Sequence, residues 1–181
     1  MDAPEVGVRH LTVDDAPALA ALVTRSRAAL APWEPLHTAA YFTEAGQRSG
    51  ILGALDRQAR GDQHPFLVLV DGEPAGRVNL NDVVRGAFQN AHLGYWIDVE
   101  HQGRGVATTA VAAVLAVAFG PLGLHRVQAG TLVHNHGSRR VLAKNGFTEI
   151  GFAPRYIRIA GRWQDHVLHQ RLADDPPGPT S

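Results

Sequence analysis

Between Leu19 and Leu30 the apolar residues Leu19, Leu22, Val23 and Leu30 recur at the spacing of a helix with one buried face. Asp14 and Asp15 precede this run, Pro17 falls in its first turn and Pro32 lies just past it, so a first helix is expected up to about Leu30. A weaker helical pattern runs from Thr43 to Arg60, with Ile51, Leu52 and Leu55 as its apolar contacts and Gly61 just beyond. The run PFLVLV from Pro65, the turn DGEP and the return AGRVNLN predict a β-hairpin, and VVRGAFQN (83–90) reads as the loop after it. HLGYWIDV (92–99), rich in aromatic and β-branched residues, predicts a central strand. From Val106 to Phe119 the chain is apolar nearly all round, which predicts a helix packed between the sheet and other elements. A strand over HRVQAGTLV (125–133), a short helix over SRRVLAKNGF (138–147), a strand from Phe147 and a strand pair joined at Ala160-Gly161 complete the order. The expected fold class is therefore α+β, a mixed layout around one sheet, with a single domain over 1–172 and a flexible C-terminal tail over 173–181.

Composition narrows the function classes. Hydrophobic residues make up 45% of the 181 and charged residues 19%, enough for a sizeable core. The formal net charge is zero, so no broad basic field draws the chain to nucleic acid or to an anionic membrane. Cysteine is absent, which removes disulfides, thiolate nucleophiles and cysteine metal sites together. The start MDAPEVGVRH lacks the pattern of a signal peptide, and the apolar run from Ala110 to Phe119 is too short to span a bilayer, so a cytoplasmic protein is expected. His134 and His136 alternate, but no third ligand stands at motif spacing and no metal is expected.

The junction HQGRGVATTA (101–110) carries the clearest chemistry. A helix N-terminus presents unpaired N–H groups, and Gly103 and Gly105 lack the side chains that would keep an anion away from them. Arg104 adds a cation, and Thr108 and Thr109 add hydroxyls. The Gly-Lys-Ser/Thr run of a Walker loop is missing, and the dinucleotide pattern fails at Thr108, where its third glycine would stand. Two glycines by themselves leave a tight turn and a pyrophosphate cradle equally open.

Further residues tip the balance. Gln102-Gly103-Arg104-Gly105-Val106-Ala107 resembles the Q/R-x-x-G-x-G/A signature of the GNAT superfamily of N-acetyltransferases, and Asn135, Ser138, Lys144 and Gly146-Phe147 resemble its second cofactor segment. WEP (33–35), NDVVRGAF (81–88), LGYWI (93–97), LHR (124–126) and GRWQDHVL (161–168) look like the ribosomal-protein alanine N-acetyltransferase group, RimJ and RimL. The likeness runs from about Leu30 to Leu172.

The resemblance implies a sheet splayed between its fourth and fifth strands and acetyl-CoA as co-substrate, with no metal. Ile97, Asp98 and Val99 would then supply main-chain bonds to pantetheine and an N–H for the oxyanion. Gln102, Gly103, Arg104, Gly105, Val106, Ala107 and Thr108 would hold the pyrophosphate. Asn135 would bond the pantetheine arm, and Lys144, Arg139 and Arg140 are candidate partners of the remaining phosphate. Many members carry an acidic tyrosine seven residues after the asparagine, where this chain has Leu142. Ser138 occupies the place of the serine that serves in the RimJ and RimL branch, with Tyr156 as runner-up; a first-turn serine that only caps the helix is an equal reading. Glu34 and His92 are the candidate bases, and Trp33, Asn81 and Arg85 the candidate acceptor-binding residues. The implied activity is direct acetyl transfer to an amine, foremost the N-terminal α-amine of a protein. The alternatives are a small amine such as an antibiotic or polyamine, and a catalytically weak CoA-binding module. A homodimer through an exposed sheet edge near the C-terminus is also expected.

Overall fold

A computed structural model of the chain describes residues 4–176 and 178. Among these, β1 (Val6–His10), β2 (His64–Val70), β3 (Glu73–Val84), β4 (Asn90–Ile97), β5 (Arg126–Leu132), β6 (Thr148–Ile159) and β7 (Arg162–Leu172) form one sheet in the order β1-β2-β3-β4-β5-β7-β6. Every neighbouring pair is antiparallel except β4 and β5. The helices are α1 (Ala16–Arg25), α2 (Arg27–Leu30), α3 (Glu44–Ala59), α4 (Val106–Phe119) and α5 (His136–Lys144).

The uninterrupted apolar run of β2 is explained by burial on both faces. Phe66, Val68 and Val70 point to one core with Val106, Ala110, Val111, Val114 and Ala118 of α4. Leu67, between them, points to the other, formed with Leu19 and Leu22 of α1 and Ile51 of α3. The sheet is thus the middle layer of three, which fits the expected mixed class. Among the described residues no helix is long and apolar enough to cross a membrane.

Several local expectations change. The N-terminal VGVRH forms β1 against β2, a strand too short for its pattern to stand out. The residues read as a loop after the hairpin begin as strand, because β3 continues to Val84 and pairs it with Asn90 beyond an irregularity after Asn81. Leu52 is exposed, one residue round the helix from the buried Ile51. The α4 helix is not enclosed all round: its buried residues form one broad stripe, while Thr109, Ala112 and Ala116 are exposed. The tail starts as a turn, in which Asp175 Oδ2 accepts from the Leu172 N–H at 2.8 Å and the Ala173 N–H donates to His125 O at 2.9 Å. The expected tail residues 177 and 179–181 lie outside the described residues.

The first helix breaks at Ser26 for a tertiary reason. Asp98, at the end of β4, is fully buried, and the Ser26 hydroxyl donates to its Oδ1 at 2.6 Å while accepting the Val99 N–H at 3.0 Å. Arg25 adds a forked pair to the same carboxylate, Nε to Oδ1 at 3.1 Å and Nη2 to Oδ2 at 2.7 Å. Burial by itself would raise the Asp98 carboxyl, but the bonds from Arg25 and Ser26 and the Arg25 charge outweigh it and hold it at about 2, below its ordinary 3.8. The folded state therefore binds this proton more weakly than the unfolded chain, so the contribution of Asp98 is complete above its ordinary value and lost as pH falls toward 2. Asp98→Ala is expected to lower the unfolding free energy in urea by about 2–3 kcal/mol at pH 7, with a smaller difference from the parent at pH 3.

Candidate active site

The site begins with a failure of pairing. β4 meets β5 only where Asn90, Ala91 and His92 match Arg126, Val127 and Gln128. Beyond this, β5 follows β7 as far as Leu132, whereas β4 stays with β3 as far as Ile97. The strands diverge around a cleft of about 980 Å³ that is closed on its far side by α5.

Strand alternation decides which main-chain groups face the cleft. The Asp98 N–H donates to Ala75 O at 2.8 Å, so in the same register Ile97 and Tyr95 turn their main-chain groups away from β3 and toward the gap. Ile97 O accepts from the Gln102 side-chain amide at 2.9 Å, which fixes the start of the following loop. Ile97 thus offers its N–H to the cleft. The N–H groups of Asp98 and Val99 are not free to join it, since the Asp98 N–H is bound to β3 and the Val99 N–H to Ser26 Oγ.

At the cleft mouth the glycine turn enters α4. Gly103 and Gly105 have φ of 73° and 82°, the left-handed region where a Cβ is unfavourable, and Gly105 is the N-cap of α4. No neighbouring atom lies within 4 Å of where either Cβ would project, so the requirement is conformational and the surface stays open. The first bond within the helix runs from the Thr109 N–H to Gly105 O at 3.1 Å, which leaves the N–H groups of Val106, Ala107 and Thr108 without helical partners. Those three residues and both glycines line the cleft. Arg104 is exposed and is not among the lining residues.

Across the gap, Asn135 caps α5 by accepting the Ser138 N–H on Oδ1 at 3.0 Å, so its amide N–H groups remain to donate. Ser138 is capped rather than capping. Its hydroxyl lies 2.7 Å from the Tyr95 hydroxyl, a contact in which either oxygen can donate, and the Tyr95 oxygen is also 3.2 Å from Ser138 O. Burial pushes the Tyr95 phenol up to about 12, with the Ser138 bond opposing. Leu142 is fully buried in the core. Arg140 and Lys144 line the cleft, whereas Arg139 is turned to Glu149 at 2.6 Å.

The other mouth of the cleft is lined by Trp33, Glu34, Asn81, Asp82, His92 and Tyr156. Burial raises the Glu34 carboxyl, opposed by His37, whose Nε2 is 3.3 Å away. Glu34 O accepts the Ala160 N–H at 2.9 Å and so ties this segment to the β6–β7 turn. Trp33 packs on His134 with ring centroids 5.4 Å apart, and Tyr156 on His166 at 5.7 Å. Asn81 Oδ1 accepts from Gln63 at 2.6 Å, while His92 Nδ1 is buried without a protein partner. Arg85 does not join them. It lies in the β3–β4 connection, at the opposite end of β4 from Ile97, and donates to Leu122 O at 2.6 Å just past the C-terminus of α4. The sequence assigned Tyr95 no role: it stood in an aromatic strand and within the LGYWI match, and nothing in the spacing says that its hydroxyl crosses to Ser138.

A family model described as "Acetyltransferase (GNAT) domain" matches residues 5–148. The chain is 37% identical over 170 residues to the probable N-acetyltransferase YjcK of Bacillus subtilis, covering 93% of this chain and 94% of that protein. It is 33% identical over 163 residues to the ribosomal protein uS5-alanine N-acetyltransferase of Escherichia coli, with 89% and 84% covered. The structure of Mycobacterium smegmatis RimJ in complex with CoA-disulfide matches with a TM-score of 0.90 at 33% identity, over 93% of this chain and 82% of that one.

Gly105→Val is expected to cost about 1–2 kcal/mol of stability through the left-handed backbone and to weaken a pyrophosphate-bearing ligand about tenfold. Thermal unfolding and calorimetric titration with CoA read the two effects.

Proposed function

The chain belongs to the GNAT acetyltransferases, and on that premise we propose that it moves the acetyl group of acetyl-CoA to the N-terminal α-amine of a protein, of the ribosomal-protein alanine type. The observation that carries this reading is the cleft between β4 and β5, which joins an anion-accepting helix N-terminus at one mouth to an amine-accessible mouth at the other. In this reading Val106, Ala107 and Thr108 donate main-chain N–H groups to the pyrophosphate, with Gln102, Gly103 and Gly105 shaping the turn and Lys144 and Arg140 nearby as cations. Asn135 donates its amide to the pantetheine arm. Acetyl-CoA brings an activated thioester, so no covalent enzyme intermediate is needed.

The neutral amine attacks the thioester carbonyl, an N–C bond forms, the C–S bond breaks, and the amine loses a proton as the thiolate departs. The Ile97 N–H stabilises the oxyanion that develops in between. An α-amine titrates near 7.7 to 8.0, far below the value near 10.4 of lysine, so a modest base suffices. Glu34, whose carboxyl burial raises above its ordinary value, takes that proton directly or through water, with His92 and Tyr156 beside the path. Trp33 and Asn81 line the acceptor's route. Among the described residues two acidic side chains line the cleft, Glu34 and Asp82, and this favours one amine on a peptide over a polyamine carrying several. The reading includes one acetyltransferase domain over 1–172, a cytoplasmic location, and a homodimer along the β6 edge, where Ile150 and Phe152 are exposed.

Acetyl-CoA consumption measured with α-amino peptides beside polyamines and aminoglycosides tests the acceptor. Turnover is expected with peptides bearing a small first residue, and activity confined to the small amines would overturn the assignment. With a peptide acceptor, kcat/KM is expected to rise with pH and level off near about 8, where the α-amine has lost its proton.

A further inference from the structure

We propose that Tyr95 is a positioning residue for the leaving thiolate, acting through Ser138. The inference rests on the acetyl-CoA reading above and adds a residue to it. Leu142, sealed in the core, leaves α5 without an acid at the place where many relatives have one. What faces the gap from α5 instead is the Ser138 hydroxyl, and it is held by one contact from the opposite strand, the Tyr95 hydroxyl at 2.7 Å. Tyr95 and Ser138 both line the cleft, on its two walls.

A serine hydroxyl has one proton to donate and two lone pairs. The single Tyr95 proton has two acceptors in reach, Ser138 Oγ at 2.7 Å and Ser138 O at 3.2 Å. Directed along the shorter contact it leaves the serine proton free to turn into the cleft, and the hydroxyl becomes a stronger donor because hydrogen bonds in a chain polarise one another. Among the described residues the Ser138 hydroxyl has the Tyr95 hydroxyl as its hydrogen-bond partner, so Tyr95 sets the orientation of that side chain. Neither hydroxyl gives up its proton outright. A thiol titrates near about 8.5, well below the phenol at about 12, so proton transfer from the pair to the thiolate runs uphill. The pair therefore stabilises the thiolate by hydrogen bonding as the C–S bond breaks, and the thiolate is neutralised afterwards by the proton that Glu34 took from the amine and passes on through water.

The test is the titration of the CoA thiol bound to the protein, followed by thiolate absorbance, in parent, Tyr95→Phe, Ser138→Ala and the double variant. The bound thiol is expected to titrate lower in the parent than in either single variant, and the double variant is expected to match Ser138→Ala. Turnover should fall about fivefold to tenfold in Tyr95→Phe, with the KM for acetyl-CoA within about twofold of the parent. An unchanged thiol titration in Tyr95→Phe, or losses that add in the double variant, would overturn the proposal. Desulfo-CoA serves as the control: equal binding to all four proteins shows that the cofactor site is intact, whereas binding to none removes the acetyl-CoA reading itself.

Discussion

Three residues of parallel pairing hold β4 to β5, and the site follows from their being so few. A ladder that continued past His92 and Gln128 would consume the main-chain groups of Tyr95 and Ile97 and close the space between the strands. Because β5 is claimed by β7 along its whole length and β4 by β3, neither strand is left without support when they part. The cleft thus has walls supported from both sides, with main-chain groups left free where an extended ligand could pair with them. This is a local loss of pairing held open by its surroundings.

The buried Asp98 cluster keeps the end of β4 in place. Arg25, Ser26 and His101 converge on one carboxylate, and Gln102 returns to Ile97 O, so the strand end, the first helix and the glycine loop are fixed together. The kink between α1 and α2 is part of that arrangement. It also directs the chain onward through Trp33 and Glu34, so the acceptor side and the cofactor side are positioned by the same contact. Asp98 and Val99 are consequently structural in their side-chain and N–H bonding, although they adjoin the Ile97 N–H that faces the reaction.

Much of this was readable in the residues, and what escaped has specific physical causes. The Gly103 and Gly105 turn was legible because only a residue without Cβ is comfortable at φ near 80°, and the resemblance around it was dense enough to name the fold. The α3 helix was legible from Ile51 and Leu55, which do pack into the core, whereas its cap, Thr43 accepting the Gly46 N–H, was not read. Arg85 was misplaced because a matching motif gives a residue's position along the chain but not the end of the sheet it reaches. Leu52 and the exposed stripe of α4 were misread because apolar character marks which residues can be buried, and packing decides which are. Tyr95 was overlooked because an aromatic residue in a central strand reads as core, and its hydroxyl acquires meaning only from the helix opposite.

By itself the sequence determined the order of elements from the first helix onward, the glycine-marked helix entry and the family, since these rest on local backbone preference, hydrophobic period and contiguous motifs. Only the tertiary structure decided which main-chain groups lie free in the cleft, that Asp98 faces Arg25 and Ser26 rather than the cleft, and that Tyr95 reaches Ser138. Those contacts join residues 43 and 72 or 73 positions apart, and no local pattern encodes a hydrogen bond across such a distance. The fold brings the partners together, and the cost of burying a polar group unpaired selects the pairing.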